Sequence, residues 1–286
     1  MERTVVVLGG GGIWGIAWML GFLAGLAEDG IDVRRADKVI GTSAGSVVGA
    51  QILSGGSYPE LLRRQTDPAA QAPEEPVSPK VLAAAEAATK VLEAIGDPRE
   101  RLRRLGEFAL TAPIADEASH RSRIVQGRLV ASSWPAKRLL VTAVDVLTGE
   151  TCVFDRSSGV ELVDAVAASC AVPKIWPTVT IGGRQYMDGG VRSLTHAYLA
   201  SDAERALVVS PYSRDAQPFS GPTLRDEAAA LVAQGVRVAI VEADADAIRI
   251  AGRNTLDPEV RPAACRAGQR QGRREAARLA SEYASG

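Results

Sequence analysis

The chain has 286 residues, 46% of them hydrophobic, and its 33 Lys and Arg nearly balance its 34 Asp and Glu. That length suffices for one large α/β domain or two small ones, and the balance excludes an overall field directed at nucleic acid or an anionic membrane. Three cysteines, Cys152, Cys170 and Cys265, show no CxxC spacing, which argues against a disulfide framework and a zinc site and fits a reducing cytoplasm.

From Thr4 to Ala27 the chain carries no charge but seven glycines, four of them consecutive at Gly9 to Gly12. Those glycines would break a helix long enough to cross a bilayer, so the stretch reads as a strand, a loop and a helix of a soluble domain. Val5 to Leu8 is a buried strand, and a helix runs from about Ile13 to Asp29, closed by Gly30. A short strand near Asp37 to Ile40 leads into Gly41-Thr42-Ser43-Ala44-Gly45 and an apolar helix that SGGS stops after Leu53. The order of elements implies a mostly parallel central sheet with helices on both faces.

From about Ser54 to Arg128 prolines and then alanines dominate, with a helical pattern from Pro79 to Ile95 and no strand pattern. This reads as a helical insertion, either a mobile lid or plain surface helices. Strands resume at Arg138 to Val146 and Thr151 to Asp155, and Leu162 to Val172 has helical spacing. TVTIGGRQYM forms a hairpin turning at Gly182-Gly183, Arg205 to Tyr212 is one more buried strand, and the tail from Pro222 reads as helix and loops without a motif. The expected organisation is a single domain over 1–286, with a motif-bearing core at about 4–200, the insertion at about 54–128 and the tail at about 222–286.

Gly41-Thr42-Ser43-Ala44-Gly45 satisfies G-x-S-x-G between a strand and a helix, the context in which the pattern means a nucleophile elbow. The turn is tight, and glycines on either side relieve collisions while Ser43 Oγ stands at the C-terminal end of the sheet over a helix N-terminus. The plainer reading makes Ser43 a helix cap. Gly10, Gly11, Gly12 and Gly15 follow the first strand, and bare amides at a helix start can donate to an oxyanion. The same residues fit G-x-G-x-x-G, the dinucleotide fingerprint, which needs an acidic residue closing the second strand. Asp32 and Asp37 come before that point, which disfavours a Rossmann oxidoreductase.

Serine needs a base. Of the two histidines, His120 lies in the polar insertion and reads as exposed, and His196, eight residues after Asp188 in the Ser, Asp, His order of a triad, reads rather as a residue at a helix start. Asp188, in Met187-Asp188-Gly189-Gly190, is either a turn residue or a carboxylate that takes the Ser43 proton directly.

The glycine loop GGGIWG, the elbow GTSAG and the DGG after AVAASCAVPKIWP, in that order over about residues 4 to 200, resemble the patatin-like phospholipases. The resemblance implies a three-layer α/β fold and a lipid acyl hydrolase in which Ser43 is the nucleophile, Asp188 its base and Gly10, Gly11, Gly12 and Gly15 the oxyanion loop. It implies an acyl-enzyme intermediate and no metal or organic cofactor. One departure stands out: the family usually carries Arg or Lys where this chain has Trp14, which puts preference for phospholipid over neutral ester or lysolipid in question. A fold that has lost efficient turnover is the alternative from another class. Trp14, Trp18, Met19, Leu20 and Phe22 either line an acyl pocket or, as helix packing favours, fill the core. Cys170 reads as a small buried residue. The expected partner is a lipid or other ester, met through transient contact with a membrane surface and not nucleic acid, in a cytoplasmic protein able to lie peripheral to a membrane; the oligomeric state stays open.

Overall fold

The computed structural model describes residues 3–111 and 118–281, with the side chains of 118–121, His120 among them, outside that description. The elements are β1 (Thr4–Leu8), α1 (Gly12–Glu28), β2 (Lys38–Thr42), α2 (Ala44–Leu53), α3 (Tyr58–Thr66), α4 (Pro79–Glu93), α5 (Pro98–Leu110), α6 (Ala118–Arg128), β3 (Arg138–Asp145), β4 (Thr151–Phe154), α7 (Leu162–Ser169), β5 (Val179–Ile181) and β6 (Arg184–Asp188). The chain continues with β7 (Arg205–Ser210), α8 (Leu224–Ala233), β8 (Arg237–Glu242), α9 (Ala245–Ala251) and α10 (Arg261–Leu279).

The strands form one mixed sheet in the order β5-β6-β3-β2-β1-β7-β8, with β4 beside β3. β3, β2, β1, β7 and β8 run parallel, and β4, β5 and β6 supply the antiparallel pairings. Alternation along β1 explains the layering: Val6 and Leu8 join the core beneath α1, α2 and α7, whereas Val5 and Val7 join a second core with Leu224 and Leu231 of α8. The chain is therefore a three-layer α/β sandwich.

α1 is buried almost all round, from Ile13 to Leu26. A helix of that kind needs a cover on the side away from the sheet, and α10 provides it. A β-carbon at Gly21 would lie 1.9 Å from the Cys265 carbonyl oxygen, and one at Gly268 would lie 2.1 Å from that of Trp18. The small residues therefore let the two backbones touch, and Trp18 Nε1 donates to Gln271 Oε1 at 3.1 Å across the contact. Among the described residues no helix is long and apolar enough to cross a membrane.

The insertion holds α3 to α6 and no strand among its described residues. The tail departs from its reading as helix and loops, because Arg237–Glu242 is an edge strand parallel to β7. Val236, Val238 and Ile240 alternate with Arg237 and Ala239 there, a period-2 signal hidden within alanine- and arginine-rich sequence. α7 ends at Ser169, short of the Val172 expected, with Cys170 as its cap.

Candidate active site

Sheet register assembles the site. Thr42 of β2 lies opposite Thr142 of β3, and the next residue of β3, Ala143, lies opposite Asp188 of β6. Ser43, one step beyond Thr42, therefore occupies the same row as Asp188 across the width of β3. The two side chains meet: Ser43 Oγ donates to Asp188 Oδ2 at 2.7 Å, with Ser43 and Asp188 8% and 5% exposed.

Ser43 alone makes the turn between β2 and α2, at φ 51° and ψ −114°. A non-glycine residue held at positive φ stores on the order of 1–3 kcal/mol of strain, so its surroundings must enforce the conformation. Ser43 N donates to Ser169 Oγ at 2.8 Å, and the Ser43 carbonyl accepts from Ser46 Oγ at 2.6 Å. Asp188 is fixed as firmly, for its Oδ1 accepts from Gly190 N at 2.7 Å and its own amide donates to Ala171 O at 2.9 Å. The hydroxyl and the carboxylate are held in contact by bonds that use neither of the two contacting oxygens.

The glycine loop borders the same cavity. A β-carbon on Gly10 would stand 3.6 Å from Ser43 Cβ, so loop and elbow are neighbours. The four glycines are not equivalent. Gly10 N donates to Leu194 O at 2.8 Å and Gly15 N to Gly11 O at 2.9 Å, which leaves these two amides committed. The amides of Gly11, Gly12 and Ile13, at the N-terminus of α1, have no hydrogen-bond partner among the described residues. Orphan amides at a helix start carry its positive end. Of the loop, the amides of Gly11, Gly12 and Ile13 are thus the ones left to donate, while those of Gly10 and Gly15 are bonded within the protein.

Trp14 turns away from the cavity. Its ring packs in the core against Trp18 and Tyr212, with centroids 6.4 and 6.3 Å apart, and its amide donates to Thr255 O at 3.0 Å. Trp18, Met19, Leu20 and Phe22 are likewise fully buried, as core packing required. The cavity, about 370 Å³ in volume, is walled instead by residues including Ile13, Ile16, Leu82, Ile175, Trp176 and Leu256. Leu82 comes from α4 of the insertion and Leu256 from the tail, two segments where the sequence offered no chemical signal. Arg128, another lining residue, is buried and paired at 2.7 and 2.6 Å with Glu74.

His196 does not reach the serine. It is wholly buried at φ 53°, where it caps a short 3-10 helix at Ala197–Ala200. Burial, with Arg192 adding repulsion, holds its pKa down to about 3. Its Nδ1 lies 3.1 Å from Thr42 Oγ1, and Nε2 has no partner among the described residues. Neither ring nitrogen makes a hydrogen bond to Ser43, whose hydroxyl goes to Asp188. Asp37 accepts from Thr4 N at 2.8 Å at the N-terminal end of β1 and β2, whereas the dinucleotide fingerprint needs its acidic residue at the C-terminal end of the second strand. Among the described residues no three His, Cys, Asp or Glu side chains converge. Cys170 is buried, as read from sequence, with Sγ 3.9 Å from Ser46 Oγ.

A family model described as Patatin-like phospholipase matches residues 6–201. Among solved structures the chain is similar to VipD from Legionella pneumophila, at 14% identity and a TM-score of 0.46, over 97% of this chain and 67% of that one. It is also similar to the type III effector protein ExoU, at 15% identity and a TM-score of 0.41, over 97% of this chain and 53% of that one. The chain thus spans two thirds of the length of the first and about half of the second. No curated protein matches it.

Proposed function

The chain belongs to the patatin-like phospholipase family, and from that premise we propose that it is a lipid acyl hydrolase that cleaves carboxylic esters with a Ser43–Asp188 dyad. The observation that carries the proposal is the 2.7 Å hydrogen bond from Ser43 Oγ to Asp188 Oδ2 beside a row of unpaired amides. Asp188 takes the hydroxyl proton as Oγ attacks the ester carbonyl, and the amides of Gly11, Gly12 and Ile13 receive the oxyanion. Collapse expels the alcohol, which takes the proton back from Asp188. Water, deprotonated by the same carboxylate, then attacks the acyl-serine, and collapse releases the fatty acid as Ser43 Oγ takes the proton back from Asp188.

The largely apolar cavity suits an acyl chain, and Leu82 and Ala85 of α4 along its wall support reading the insertion as its cover. Val81 and Val91 of the same helix are 41% and 70% exposed, which supports transient contact with a membrane surface. The tail belongs to the same catalytic unit on this reading, since α10 covers α1 and Thr255 holds the Trp14 amide. Three free cysteines favour the cytoplasm.

A fluorophosphonate tests the reading directly. It is expected to label Ser43 covalently, and a panel of phospholipids, lysolipids and neutral esters is expected to yield free fatty acid. An intact, folded chain that neither the probe nor any ester engages would mark a fold without turnover.

A further inference from the structure

We propose that Glu227 is a positioning residue for the active site, acting through the 193–197 segment that it clamps from behind. The inference rests on the hydrolase reading above and extends it to a residue beyond the stretch matched by the family model.

Glu227 sits in the first turn of α8, which a Thr223–Asp226 capping box secures, and is only 3% exposed. Three donors converge on its carboxylate. Ser193 Oγ donates to Oε1 at 2.6 Å, and Thr195 Oγ1 and Ala197 N donate to Oε2 at 2.8 Å each. Ser193 Oγ meanwhile accepts from His196 N at 2.7 Å and Thr195 N at 3.2 Å. With both lone pairs engaged, the Ser193 hydroxyl proton has nowhere to point but the carboxylate. Burying an acid is costly unless its acceptors are filled, and here donors fill both oxygens.

What the clamp fixes is the geometry of the catalytic parts. The Leu194 carbonyl, within the segment, accepts from Gly10 N at 2.8 Å and so sets the loop whose next residues line the cavity. His196, two residues on, places Nδ1 3.1 Å from Thr42 Oγ1, and Thr42 Oγ1 lies 2.9 Å from Thr142 Oγ1. Thr42 is the residue before the nucleophile. Ser193 N also reaches Gly189 O at 3.3 Å, next to Asp188. Donor loop, elbow and base are therefore all referenced to one segment, and that segment is referenced to Glu227.

The experiment compares wild type with Glu227→Gln and Thr195→Val, following p-nitrophenyl ester turnover together with the rate and the end point of fluorophosphonate labelling. Glutamine keeps the shape but turns an NH2 group toward a donor, and valine removes a single clamp bond. Expected for Glu227→Gln is a kcat about 10- to 100-fold lower with KM within about twofold, the size of effect that a misplacement of about 1 Å produces. The labelling rate falls in parallel while labelling still runs to completion, and Thr195→Val shows the same split at smaller size. A drop only in the labelled fraction, with normal turnover per labelled site, assigns Glu227 to stability alone and overturns the proposal. Unchanged kcat in Thr195→Val overturns it also if Glu227→Gln does not fold. A wild type that the probe never labels removes the hydrolase reading itself, whereas labelled wild type and unaltered variants defeat this inference only.

Discussion

Gly45 runs so close beneath the end of β1 that a β-carbon on it would lie 1.9 Å from the Leu8 carbonyl oxygen. Atoms do not pack at that distance, so the second glycine of the elbow is demanded by the crossing of α2 over the neighbouring strand. Gly45→Ala has to push α2 away from β1, at about 3 kcal/mol, the upper end for forced overpacking. Urea unfolding measures this, with Gly96→Ala as control, since nothing lies within 4 Å of a β-carbon there. Equal midpoints for the two variants would contradict the close approach.

Asp188 divides its labour between two oxygens, one on Gly190 N and one on Ser43 Oγ. Asp188→Asn can retain the first bond through its carbonyl oxygen and so keep the turn, but its amide cannot take a proton. Turnover is expected to fall by about 10²- to 10⁴-fold, the usual worth of a general base, with little change in thermal midpoint. Steady-state hydrolysis of a neutral chromogenic ester decides the matter. Full activity in Asp188→Asn would remove the dyad.

The legibility of this chain follows the range of the forces involved. The elbow, glycine loop and Asp188 were readable because each is a local backbone demand with few residues able to meet it. Their meeting was not local, for it depends on the β2–β3–β6 register that sets Thr42 opposite Thr142 and Ala143 opposite Asp188. The commitment of the Gly10 amide is hidden for the same reason, since Leu194 is far away in sequence, whereas that of Gly15 to Gly11 is the local bond of any helix interior. In the tail the misleading feature was composition. Arg and Ala obscured both the alternation of β8 and the spacing of Gly268 and Gly272, which is matched by that of Gly21 and Gly25 on α1. The sequence around His196 suits a helix start, and the residue does cap a 3-10 helix, but nothing in its neighbours in sequence announces complete burial.

α10 lies outside the residues that the family model matches, yet its backbone packs directly on that of α1. Deleting residues from Arg261 onward removes the cover over Trp18, Phe22 and Leu26, each 0% exposed and set against Gly268 or Gly272, and fully exposing a large apolar side chain costs about 1.5–3 kcal/mol. Several such losses match the whole stability of a typical domain, about 5–15 kcal/mol. The truncated chain is therefore expected to be insoluble or to lack a cooperative thermal transition. A shortened protein that melts like the full chain would mean that α1 finds another cover.

His196 gives stability a pH dependence of definite sign. Its pKa is about 3 in the folded protein, against 6.5 for the free side chain, because burial disfavours the charged ring. As pH falls below 6.5 the unfolded chain takes up a proton that the folded chain refuses, so stability present at neutral pH is lost on acidification. The loss is about 1.4 kcal/mol per pH unit, or about 2 kcal/mol between neutrality and pH 5. His196→Asn removes the titration and keeps a residue that tolerates φ 53°, with a side chain able to face Thr42. Unfolding free energies of the two proteins, measured by urea titration from about pH 7.5 to about pH 5, are expected to converge as the wild type loses its extra stability. Parallel curves across that range would show that the ring is already charged, or already reached by water, in the native state.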